Sequence, residues 1–168
     1  MYTTHEYLIA AHVAKPMYIS YYSTLSHHGL TERVPWTVRV VTSTRAQSRE
    51  IHDVPRRVTA VAERKFFDFE PTSTEGMTVQ VSELGKTLVD CTDHREFCSG
   101  PRELATAMRT VDEQGCNREI VSECLDRLDN GAATERIVYL VDQFGIDFPA
   151  HEKLVASLTS GYSPLDPT

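Results

Sequence analysis

The stretch KPMYISYYSTLSHHG, residues Lys15–Gly29, decides how the rest of the chain is read. Met17, Tyr18 and Ile19 join aromatic and β-branched side chains after a proline that cannot continue a helix, which predicts a short buried strand. Ser20 has the chemistry of an N-cap, and Tyr21–His28 is predicted to be a helix closed by Gly29. Tyr21 and Leu25 stand at i, i+4 and Tyr22 and Leu25 at i, i+3, forming one apolar stripe. Leu30 is expected to fold back on that stripe, as apolar residues often do after such a glycine. The module is strand, cap, helix and fixed exit. Its residues suit a scaffold rather than a catalytic centre.

Upstream, Thr3 or Thr4 is the expected cap of a leading helix or linker over residues 1–15, His5–Ala14 being helical with Leu8, Ile9, His12 and Val13 inward. Downstream, Trp36–Thr42 (WTVRVVT) is the clearest strand, with Trp36, Val38 and Val40 on one face and Arg39 and Val41 on the other. Ala46–Val54 reads as a polar connection, Arg57–Glu63 as a second strand and Lys65–Phe69 as a turn or short strand. Its three phenylalanines are expected to anchor the core, with an exposed partner patch as the alternative. Met77–Val81 adds a strand, giving a sheet of about four. Ser82 is the expected cap of a helix over Glu83–Cys91, with Leu84, Leu88 and Cys91 inward. The remainder is helical: from Ser99–Pro101 to Val111, Arg118–Leu128 capped by Asn117, Ala132–Phe144 closed by Gly145, and Ala150–Leu158 after Pro149. The fold class is therefore α/β (α+β), a small mixed sheet flanked by helices with a helical C-terminal half, in one domain over residues 1–168. Tyr18, Leu25, Trp36, Leu88 and Leu140 are expected to share one core.

The segments YISYYSTLSHHGLTERVP (18–35), VRVVTSTR (38–45), AERKFFDFE (62–70), VSELGKTLVDC (81–91), DNGAATERIVYLVDQFG (129–145) and GYSPLDP (161–167) occur in one order. Together they resemble the AbiEi family, antitoxins of type IV toxin–antitoxin (abortive-infection, viral defence) systems that also act as transcriptional regulators. The similarity covers nearly the whole chain. It implies an antitoxin domain that is not an enzyme, takes no cofactor or metal, and counteracts a cognate nucleotidyltransferase toxin in the cytoplasm. It also implies that promoter DNA is bound with the help of a winged helix ahead of this region, residues 1–168 being expected to form the antitoxin domain alone. The residues on the family's motif are Tyr18, Ser20, Leu25, His28, Gly29, Lys86, Thr87 and Asp90, all in structural roles.

Charge and chemistry add bounds of their own. The net charge is −7, which argues against a chain that simply coats nucleic acid. The distribution is uneven: Arg33–Lys65 carries a local +5 and leaves the rest at −12. Arg39, Arg45, Arg49, Arg56 and Arg57 are thus the candidates for touching phosphate or an acidic partner, a solvated surface being the plainer alternative. No apolar run approaches the ~20 residues of a membrane helix, and the N-terminus lacks a signal-peptide core, so a soluble cytoplasmic protein is expected. Cys91, Cys98, Cys116 and Cys124 form no CxxC pair and read as buried thiols, neither a disulfide framework nor, with His94, a metal site. Glu83, Lys86 and Asp90 invite comparison with metal-dependent nucleases, the second functional reading. Their i, i+3 and i+7 spacing on one helix is instead that of helix-stabilising ion pairs. The nuclease reading needs Asp68 or Glu70 to converge with them from separate elements. No glycine-rich phosphate loop, HExxH or Ser–His–Asp pattern is present.

Overall fold

A computed structural model describes residues 4–51 and 54–160, excluding the side chains of residues 4–5, 49–51, 54 and 159–160. The GYSPLDP segment and the predicted cap at Thr3 or Thr4 lie outside the described residues.

The fold is α/β: a mixed sheet with helices on both faces and a helical C-terminal half. Among the described residues the strands are β1 (Tyr18–Ile19), β2 (Val38–Thr42), β3 (Arg49–Ile51), β4 (Val54–Ala60), β5 (Phe69–Thr74) and β6 (Met77–Ser82), ordered β3-β4-β2-β1-β6-β5. β1 runs antiparallel to β2 and parallel to β6; β2 and β4 are parallel, and β3 and β5 are antiparallel edge strands. β3 falls where a polar connection was expected, and β5 runs on from the Lys65–Phe69 segment read as a turn or short strand, so six strands stand among the described residues where about four were expected. Neither has a strong period-two apolar pattern, because an edge strand has less to bury.

The helices are α1 (Thr4–Ala10), α2 (Tyr22–His27), α3 (Leu84–Asp93), α4 (Pro101–Glu113), α5 (Glu119–Leu128), α6 (Gly131–Phe144) and α7 (His151–Ser160). Asn117 Oδ1 accepts from the Glu119 amide at 2.8 Å, and Asn130 accepts from Ala132. Gly145 closes α6 in the left-handed region at φ 58°. α3 is the hub, packing against α2, α4, α5 and α6. Its Gly85 allows that approach, since a Cβ there would stand 3.0 Å from the Ile120 carbonyl oxygen of α5.

Alternation along the strands divides the core. Ile19, Val38, Val40, Val79 and Val81 face α1, where Tyr7 and Ala10, followed by Ala14, are buried. The expected inward set of Leu8, Ile9, His12 and Val13 is corrected: the first two and Val13 are half-buried, and His12 is exposed. The helix ends at Ala10, so a stripe extrapolated to Val13 loses its register. Tyr18 and Val41 face the other way, into the larger core with Leu25, Leu88 and Leu140. Trp36 does not join them. It is 89% exposed, because β2 begins only at Val38 and the alternation does not extend back through the preceding loop. Phe67 is buried, and Phe66 and Phe69 pack against the same core, their rings 5.2 and 5.0 Å from Tyr18.

Two predicted caps do other work. Ser20 shares a sheet face with Tyr18 and donates to Asp90, while Tyr21 turns the chain into α2 at φ 63°. Ser82 lies one residue ahead of Glu83, the N-cap of α3, and bonds Thr24 and Thr87 instead. The glycine exit is as expected: Gly29 has φ 67°, and the Leu30 amide returns to the Leu25 carbonyl at 2.8 Å with Leu30 buried.

Candidate functional site

Lys86 and Asp90 stand one turn apart on the inner face of α3, and β1 brings Tyr18 and Ser20 against them. Lys86 Nζ lies 2.6 Å from Asp90 Oδ1. The other carboxylate oxygen accepts from Ser20 Oγ at 2.6 Å and from the Tyr18 hydroxyl at 3.1 Å. Lys86 is only 1% exposed, so the helix-stabilising ion pair that the spacing predicts is a buried one. The i, i+4 spacing shows that two residues are neighbours, but not which way the helix face turns. Burial raises the Tyr18 hydroxyl pKa well above its ordinary value, and the Asp90 charge raises it further.

The remaining motif residues surround this pair. His28 Nε2 donates to the Ser82 carbonyl at 2.8 Å, and Thr87 Oγ1 donates to the Glu83 carbonyl at 2.9 Å. Leu25 lies in the core beneath, and Gly29 shapes the exit of α2. Residues separated by some seventy positions thus form one bonded unit joining β1–α2 to β6–α3.

Glu83 stands apart from its two neighbours. It is exposed at the start of α3, on the rim of an open pocket of about 580 Å³. Asp68, Glu70, Glu123, Lys86 and Arg127 also line that pocket. Asp68 is paired with Arg127, and Lys86 and Arg127 approach the Phe67 ring at 4.4 and 4.3 Å. Burial, aided by the nearby carboxylates, pushes the Cys124 thiol up to about 12. Among the described residues, no group of three or more His, Cys, Asp or Glu side chains is arranged to hold a metal ion. The pocket brings Asp68, in the loop just ahead of β5, and Glu70 of β5 to the same lining as Glu83 and Lys86, but Asp90 lies inside the core and is not among its lining residues. Glu123 and Arg127 were not anticipated; their only sequence signal is an i, i+4 pair on the polar side of α5.

The five candidate arginines do not form one patch. Arg39 is half-buried, its Cζ 3.7 Å from the Phe97 ring centroid. Arg57 is its register neighbour on β4 and is exposed. Arg45 is exposed in the loop after β2, and the Arg49 side chain lies outside the described residues. Arg56 is corrected: it is 1% exposed, because successive strand residues alternate and Arg57 takes the outward place.

Cys91 and Cys98 are joined by a disulfide, correcting the expectation of free thiols. The short turn after α3, which includes the 3-10 segment Arg95–Phe97, brings their Cα atoms to 5.7 Å, within bridging range. Cys116 and Cys124 are free. No helix among the described residues is long and apolar enough to cross a membrane. No protein-family model matches the chain, and no curated protein matches it.

Proposed function

We propose that this chain is the antitoxin and regulatory domain of a type IV toxin–antitoxin system, a non-enzymatic binding protein that counteracts a nucleotidyltransferase toxin in the cytoplasm. The supporting observation is the bonded unit of Tyr18, Ser20, Lys86 and Asp90. Two of the segments that resemble the AbiEi family, 18–35 and 81–91, meet there, and the polar groups of these four side chains are spent on one another. A motif used in this way specifies a scaffold and leaves recognition to the surface around it. Promoter DNA is contacted with the help of a winged-helix domain. The chain alone binds duplex DNA weakly, with a salt dependence set by its exposed arginines.

The test is growth. A nucleotidyltransferase encoded beside this chain is expressed alone and with it. Arrest by the first and recovery with both is the expected result; expression of both without recovery overturns the proposal.

A second reading, a metal-dependent nuclease or its relic, has one observation in its favour: Asp68, Glu70, Glu83 and Glu123 come from separate elements to one pocket with Lys86. Single- and double-stranded DNA and RNA are incubated with the protein and magnesium or manganese, beside Glu83→Gln. No cleavage is expected. Metal-dependent cleavage lost in Glu83→Gln replaces the antitoxin reading with the nuclease one.

A further inference from the structure

We propose that the hollow between the 31–37 loop and the Arg95–Phe97 turn docks a protein segment presenting a carboxylate beside an apolar side chain. The hollow measures about 480 Å³ and is lined by Arg33, Val34, Trp36, Arg39, Glu96 and Phe97, among others. Two of these are large apolar residues left in water, Trp36 and the 52%-exposed Val34.

Arg39 is the centre of the site. Its guanidinium lies over Phe97, and that ring is fixed in turn by edge contact with buried Tyr21 and stacking on His94. Among the described residues the Arg39 side chain makes no hydrogen bond or ion pair, so a fork of five donors is held in place and unspent. Arg33 is exposed on the loop, and Arg57 stands beside Arg39 in the strand register. The opposing charge is Glu96, whose carboxylate is engaged by His94 at 3.2 Å.

A fixed guanidinium next to an exposed indole is the pairing from which protein-interface hot spots are commonly built. The bidentate geometry of Arg39 suits a carboxylate, and Trp36, Val34 and the Phe97 edge suit an apolar neighbour of that carboxylate. A nucleic-acid strand offers phosphate and a base to the same groups. A long polyanion, however, would meet the field of a chain at −7, whereas a peptide needs to bring only one or two charges. The balance favours protein. The proposal rests on reading this chain as a partner-binding domain, but not on the identity of the toxin.

Trp36 is the single tryptophan in the chain, so its emission reports on this hollow alone. The full chain is titrated with an array of short synthetic peptides carrying a central Asp or Glu with varied flanks, with their Asn and Gln counterparts, and with oligothymidylate. Peptides with an apolar residue beside the acid should shift the emission. Amide replacement in the peptide, or Arg39→Gln in the protein, should weaken binding by about tenfold or more. Trp36→Ala lies outside the core and should lose the same peptides when labelled ligand is followed by anisotropy. The proposal is overturned if no peptide binds, if acid and amide bind alike, or if oligothymidylate shifts the emission at lower concentration than any peptide. Peptide binding alongside failed growth rescue would remove the toxin assignment and leave the docking site standing.

Discussion

Two cations of this chain meet opposite fates. Lys86 is buried, and Asp90 neutralises it while Ser20 and Tyr18 take up the carboxylate's second oxygen. Arg39 is half-buried on the same side of the sheet, with its donors unused. The first arrangement costs desolvation that only complete pairing offsets, so it fixes how two segments meet. The second keeps a charge partly hydrated and available. Burial with a full set of partners marks scaffold; placement without partners marks a surface awaiting one.

The sharpest way to break this contrast is Asp90→Ala, which strands the Lys86 ammonium and removes the acceptor of Ser20 and Tyr18. It should cost about 3–5 kcal/mol in urea unfolding. Lys86→Met with Asp90→Leu should cost less than the sum of the two single changes; strict additivity would mean that the pair is not coupled. Leu88→Ala and Leu140→Ala, both in the larger core, should each cost about 2–5 kcal/mol by the same measurement. Trp36→Ala should stay within about 0.5 kcal/mol of the parent, since the side chain covers nothing in the core. A large loss there would make Trp36 structural and weaken its use as a docking group. The smallest effect concerns the free thiols. Alkylation proceeds through the thiolate, and burial holds Cys124 in the neutral form up to a pH of about 12. At pH 8, iodoacetamide should therefore modify half-buried Cys116 well before Cys124, as read by peptide mass mapping.

The sequence carried the parts whose physics is local. The 3.6-residue stripes of α3 to α6, the proline opening α4, the Asn117 cap and the glycine exits are decided within a few residues. The same holds for the Gly29–Leu30 return, where a left-handed residue and one backbone bond suffice. Alternation likewise separated Val38 and Val40 from Val41 across β2. What only the tertiary structure decided are relations between segments distant in the chain. Ser20 and Ser82 have the chemistry of caps, yet each found a stronger partner across the fold. Lys86 and Asp90 have the spacing of a helix-stabilising pair, and only the packing of α3 at the hub buried them. Arg56 and Arg57 are adjacent and alike, and strand register alone sent one inward and the other to water. Trp36 has the composition of a core residue, but its exposure depends on where β2 starts. Local preference amounts to about 1 kcal/mol or less per residue, while burial and polar pairing across the fold are worth several, so the tertiary term prevails where the two conflict.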